Sequence, residues 1–331
     1  MKRTTLLTLI YLLLVGCAAP VQLDTVDSTE TEESAIAEAP VETAGFPVTI
    51  VHDAGEITLD QPAERIVVMS EEMIELAIAL DAKLVGVGAG RNEPVDGKLP
   101  EMPYLERPIV GEPVYLDAQQ PSMEAIFALE PDLIFRNGPP AGFDDEFREQ
   151  FEQIAPTLTY VAAEPGGWKN ALRGLAMALG RTELAEQTIA DYDARVAELQ
   201  AEMAPVVEQA PDVTLLVGSP DVLGIVDEQF AIGGIMQTLG FTLSVPESIE
   251  MPPFGYNQIS PEILGEVTAE TIVQMRRFDG KEYAGDEILN SLEIPVLLTE
   301  IRQGMPYAGP FAEVIYLESF ANGFREQYLS E

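Results

Sequence analysis

The sequence predicts an α/β protein of two Rossmann-like lobes bridged by a single long α-helix, with a ligand cleft between the lobes. Three observations carry that expectation. From Arg181 to Ala204, Ala185, Ile189, Tyr192, Val196, Leu199 and Met203 recur at three- and four-residue steps, with acidic residues largely between them, which is the period of an amphipathic helix. Gly180 precedes this run as a breaker and Pro205 follows it as a stop, giving a rod of roughly 22 residues and about 33 Å. On both sides of the rod, short β-branched runs alternate with helical segments, the pattern of a parallel sheet. A length of 331 residues, 47% of them hydrophobic, accommodates about two domains with substantial cores.

Residues 46–180 form the first predicted lobe. Phe46 to Val51 and Glu56 to Leu59 read as a hairpin turning at Asp53-Ala54-Gly55. A strand over 65–69, a helix over 71–80 begun by Glu71 and Glu72, and a strand over 84–87 follow. A looser, Pro-rich stretch occupies 93–121. A helix over 122–129, a strand over 132–135, a helix over 143–154, a strand over 158–161 and a helix over 167–179 complete the lobe. The inter-lobe helix takes 181–204. Residues 205–331 form the second lobe, with strands over 213–217, 271–275 and 296–299 and helices over 232–239, 261–267, 283–292 and 311–328.

Two segments precede the lobes. Lys2 and Arg3 followed by the apolar run Leu6 to Val15 make a signal-peptide core too short to span a bilayer. The run ends in Leu14-Val15-Gly16-Cys17, which resembles the lipobox of bacterial lipoproteins. By that resemblance residues 1–17 are a lipoprotein signal peptide with its lipobox, cleaved before Cys17, whose thiol is then lipidated. Residues 18–45 carry seven acidic and no basic side chains and little that is large and apolar, the composition of a flexible tether.

Charge and residue counts exclude several functions. With 56 acidic against 18 basic residues the net charge is −38, a field that repels nucleic acid and anionic bilayers and suits high salt, where self-repulsion is screened. Cys17 is the only cysteine and His52 the only histidine, so a disulfide framework and the common zinc sites are not expected. His52 reads as an ordinary strand residue. Gly86, Gly88 and Gly90 lack the dinucleotide-fingerprint spacing. Ser219 in Gly218-Ser219-Pro220 lacks the nucleophile-elbow pattern, and no nucleophile with a base is found, so an enzyme is not expected.

In open α/β sheets, ligands bind beyond the carboxyl ends of the strands. Ser70, Arg91, Asn92, Arg136, Asn137 and Trp168 are predicted there in the first lobe. Ser219, Arg276, Arg277 and Arg302 are predicted there in the second. Five of the 18 basic residues thus fall at or just after strand ends, which points to an anionic ligand held by guanidinium forks. The alternative is that these arginines pair with nearby carboxylates such as Glu300 and Asp279. Trp168 opens a helix, where it serves either a ligand or the core. Tyr256 and Tyr307, in Pro/Gly-rich loops, are candidates to line the second lobe's side of the cleft.

The segment Met123-Glu124-Ala125-Ile126-Phe127-Ala128-Leu129-Glu130-Pro131-Asp132-Leu133-Ile134 resembles the helix-turn-strand of the substrate-binding proteins of ABC importers for ferric siderophores and cobalamin. Gln61-Pro62-Ala63-Glu64-Arg65-Ile66-Val67, Gly234-Ile235-Met236-Gln237-Thr238-Leu239-Gly240 and Ile259-Ser260-Pro261-Glu262-Ile263-Leu264 extend the resemblance over nearly all of 46–331. One departure is Leu80-Asp81-Ala82 where the family commonly has Leu-Gly-Ala. The resemblance implies a monomeric, lipid-anchored protein on the outer side of the cytoplasmic membrane or in the periplasm. It would capture an iron chelate, an Fe(III)-siderophore, and deliver it to ABC permease and ATPase subunits, with no cofactor or metal of its own. Cobalamin or another corrinoid is the alternative cargo, and a surface lipoprotein outside transport is the alternative role. The family pattern also implies that Glu124 and Glu262 dock the permease, whereas favourable charge at helix starts is their plain structural reading.

Overall fold

A computed structural model describes residues 45–89, 109–139, 145–161, 166–276, 281–300 and 309–329. A hairpin of β1 (Val48–His52) and β2 (Gly55–Leu59) opens the described chain. The first sheet contains β3 (Ile66–Met69), β4 (Leu84–Ala89), β5 (Val114–Asp117), β6 (Leu133–Asn137) and β7 (Thr157–Tyr160) in the order β5-β4-β3-β6-β7, all parallel. Its helices are α1 (Glu71–Ala79), α2 (Met123–Ala128), α3 (Arg148–Glu152) and α4 (Trp168–Leu179). The chain leaves β3 toward β4 on one side and later returns to place β6 on the other. The topological switch therefore lies between β3 and β6, as in a dinucleotide-fold half.

The second sheet is mixed. In it β8 (Asp212–Gly218), β12 (Thr271–Arg276) and β13 (Val296–Glu300) run parallel, and the short β10 (Thr242–Leu243) joins them at the start of β8. The strands β9 (Leu223–Val226) and β11 (Tyr256–Ile259) add an antiparallel flank. Strand–helix alternation alone predicted only parallel strands here, and β5, β9, β10 and β11 were not anticipated. A tight turn accounts for β9, since Ser219 and Val222 exchange backbone hydrogen bonds and fold the chain straight back. The second-lobe helices are α6 (Ala231–Thr238), the short α7 (Asp286–Leu289) and α8 (Ala312–Phe324), and Pro261–Glu266 is a 3-10 turn rather than an α-helix.

Between the sheets runs α5 (Thr182–Gln209), 28 residues long. It buries Ala185, Ile189, Tyr192, Val196, Leu199, Met203 and Val206, the stripe that the sequence spacing predicts, extended by one member. The expected stop at Pro205 does not hold. Pro205 sits inside the helix, where it lacks the N–H that would bond the carbonyl of Ala201. Beyond it Val206 is fully buried and Val207 packs against the core. Burying such side chains contributes about 1.5–3 kcal/mol each, enough to offset a proline cost of about 3 kcal/mol.

One hydrophobic cluster runs from Val68, Phe135 and Leu158 through Trp168, Tyr192, Leu199 and Met203 to Val213, Val273 and Phe320, with a smaller cluster on the far side of each sheet, around Ile134 and Phe151 in the first lobe and Ile225 and Ile272 in the second. Ion pairs flank the larger cluster. Lys169 and Arg173 of α4 bind Asp193 and Glu186, while Arg195 and Glu202 of α5 bind Glu318 and Arg325 at the other lobe. Such partly exposed pairs are worth up to about 1 kcal/mol each, so the buried stripe dominates.

The first two motifs of the resemblance form one lock. Asp132 accepts from the amides of Glu64 and Arg65 at 2.9 and 2.8 Å, and the Arg65 guanidinium donates to the Leu129 and Glu130 carbonyls that end α2. Glu270 repeats the device in the second lobe by accepting from the Asp212 amide at 2.9 Å. Asp81 has φ 51°, so the position where the family commonly carries glycine is indeed left-handed, a region that aspartate tolerates better than most side chains.

Candidate functional site

The carboxyl ends of the parallel strands lead into helices whose first turns converge. After β3, Ser70 caps α1 by accepting from the Met73 amide at 3.3 Å. After β7 the chain reaches Gly166 and α4, and after β13 it reaches Gly309 and α8. Glu75 of α1 accepts from the amides of Phe311 and Ala312 at 2.7 and 3.0 Å, while Glu313 of α8 accepts from Tyr192 Oη at 2.6 Å and from the Gly166 amide at 3.3 Å. Segments that follow β3, β7 and β13 therefore meet at one junction.

The two described arginines at the strand ends are each paired with a carboxylate. Arg136, at the end of β6, donates through Nη1 to both carboxylate oxygens of Asp145 at 2.8 Å and lies 5.0 Å from the Phe151 ring centre. Arg276, at the end of β12, makes the same arrangement with Asp286 at 3.0 and 3.1 Å and stacks 4.1 Å above Tyr283. Both strands neighbour the first strand of their sheet, so the two lobes carry one device in equivalent places. The expectation that Arg136 and Arg276 offer open guanidinium forks is corrected, because each has an aspartate partner and little exposure, 9% and 12% of the side chain. Their partners are also not those anticipated.

For Trp168 the second of its two readings, the core, is the one observed. Its ring is fully buried, edge-on to Tyr192 at 5.1 Å, and so belongs to the core at the junction. Tyr256 lies in β11 rather than a loop, with its ring over Gly224 and 5.8 Å from Phe230. Ser219 shapes the β8–β9 turn. His52 accepts from the Ala54 amide at 3.2 Å, and burial, followed by the nearby Arg148 charge, lowers its pKa. Cys17, Arg91, Asn92, Arg277, Arg302 and Tyr307 lie outside the described residues.

Glu124 and Glu262 are exposed, each in the first turn after a serine, on the segments that lead into β6 and β12. Ser122 accepts from the Ala125 amide, and Ser260 donates to Glu262. Sequence reasoning missed the buried acids Glu71, Glu72, Glu75 and Glu313. The signal was present for Glu75, which interrupts the apolar run Met73-Ile74-Leu76. Among the described residues no group of three or more His, Cys, Asp or Glu is arranged to hold a metal ion.

A family model described as periplasmic binding protein matches residues 66–293. The ferric enterobactin-binding periplasmic protein FepB of Escherichia coli is 26% identical over 216 residues, 62% of this chain and 65% of FepB. The probable siderophore-binding lipoprotein YfiY of Bacillus subtilis is 28% identical over 179 residues, 54% of this chain and 51% of YfiY. The chain thus spans between half and two thirds of the length of these relatives. The solved structure of FeuA from Bacillus subtilis, a triscatecholate siderophore-binding protein complexed with ferri-bacillibactin, superposes with a TM-score of 0.63 at 19% identity, covering 86% of this chain and 100% of FeuA.

Proposed function

The chain belongs to the periplasmic binding protein family, and on that premise we propose that it captures a ferric siderophore between its lobes and delivers it to the permease of an ABC importer. The observation that carries this reading is the family match over residues 66–293, joined to the meeting of segments that follow β3, β7 and β13. Relatives named for ferric enterobactin and siderophore binding support the cargo. The protein acts as a carrier and does no chemistry on its cargo.

In this reading the direct ligand contacts come from Arg91, Arg302 and Tyr307, which follow β4 and β13 in sequence. Arg136 and Arg276 act one step back, each tying the chain beyond its strand to a carboxylate. Lipidation at Cys17 tethers the protein outside the cytoplasmic membrane, in keeping with YfiY being named a lipoprotein. Glu124 and Glu262, exposed at equivalent places in the two lobes, supply the permease contacts.

Uptake of radiolabelled iron by cells producing the protein with its permease and ATPase tests the reading. The double charge reversal Glu124→Lys and Glu262→Lys is expected to abolish uptake while affinity for the ferric siderophore is unchanged. Unimpaired uptake would refute the docking role, and lost ligand affinity would move these glutamates into the binding site.

A further inference from the structure

Glu75 is the most unusual side chain in the described structure. It stands on α1 of the first lobe, is fully buried, and accepts through Oε1 from the two amides that open α8 in the second lobe. A carboxylate suits the positive end of a 13-residue helix. Its other oxygen, Oε2, is buried with no hydrogen-bond partner among the described residues. Gly309 closes over it with φ 139°, and a Cβ there would lie 2.4 Å from Oε1, so only glycine permits the contact. The groups that act on Glu75 are the Phe311 and Ala312 amides and the carboxyls of Glu72, on its own helix, and Glu313 of α8. Glu313 is itself buried and held by Tyr192 of α5, a tyrosine whose pKa burial pushes far up.

We propose that the contact between Glu75 and the start of α8 is a proton-controlled latch that sets how firmly the two lobes are held together. Burial is the largest influence on this carboxyl; the two α8 amides oppose it and the neighbouring acids reinforce it, leaving the group pushed up to about 8 from an ordinary 4.5. Released to water, Glu75 would titrate near the ordinary value. Between the two values the latched form holds a proton that the released form lacks. The latch therefore contributes fully below about 4.5 and is lost as pH rises through about 8. Glu313, also raised by burial above all, acts in the same direction.

Trp168 is the only tryptophan and lies against Tyr192 at this junction, so it reports on the latch without any ligand. Acrylamide quenching of its fluorescence is expected to rise several-fold between about pH 6 and pH 9, with a midpoint near about 8 and unchanged secondary structure. Glu75→Gln keeps an acceptor for the two amides and cannot ionise, so its quenching should change far less with pH than that of the wild type, the remainder being the contribution of Glu313. Glu313→Gln should keep the transition and move it to lower pH, because one acidic neighbour is gone. A flat wild-type profile, or a Glu75→Gln profile identical to wild type, would overturn the proposal. Hydrogen exchange at the Phe311 and Ala312 amides of the wild-type protein, corrected for intrinsic rate, is a reading that needs no variant. Protection lost through about pH 8 supports the latch, and protection constant across that range contradicts it.

Discussion

Arg136 shows how an isolated residue is half legible. Its place at the end of β6 follows from the apolar strand before it, but its partner does not, because 56 acidic residues compete for 18 basic ones and spacing cannot choose among them. Asp145 wins by lying just ahead of α3, whose Phe151 supplies the ring beneath the guanidinium. Arg276 repeats this with Asp286 and Tyr283, and every described arginine donates to a carboxylate or a backbone carbonyl. In so acidic a protein a strand-end arginine is thus first a structural tie. Removing the partner leaves a buried guanidinium uncompensated, at a cost on the order of 3 kcal/mol. Asp145→Ala should therefore lower the urea midpoint by a corresponding amount with little change in slope, and an unchanged midpoint would show that solvent compensates Arg136.

Among the elements, α5 was the most legible, because its buried stripe repeats at helical spacing over many turns. Its end was misplaced, since a proline reads as a stop unless tertiary contacts beyond it, here Val206 and Val207, outweigh the lost hydrogen bond. The strands β9 and β11 were hidden for a different reason. Each is only four residues long and depends on pairing across the sheet, which local spacing does not encode. Pro205→Ala would restore the amide to the Ala201 carbonyl and remove the ring clash. It is expected to raise stability by up to about 3 kcal/mol, read as a higher denaturant midpoint. A loss of stability would mean that α5 is bent at Pro205 in a way the lobes require.

Across the lobes, the order of weak motifs along the chain proved more informative than any one of them. The lock between Asp132 and Arg65 and the left-handed Asp81 explain physically why two of those stretches look as they do. One core continues through α5 into both sheets. What remained illegible was the pairing of Arg136 and Arg276 at the candidate site, which forms only in the fold. The central claim is that this molecule carries a ferric siderophore. Calorimetric titration with ferric catecholate, hydroxamate and citrate-type siderophores, alongside cobalamin and haem, tests it most directly. Saturable one-to-one binding of one ferric siderophore class is the predicted result, and binding of cobalamin or haem alone, or of none of the panel, would contradict it.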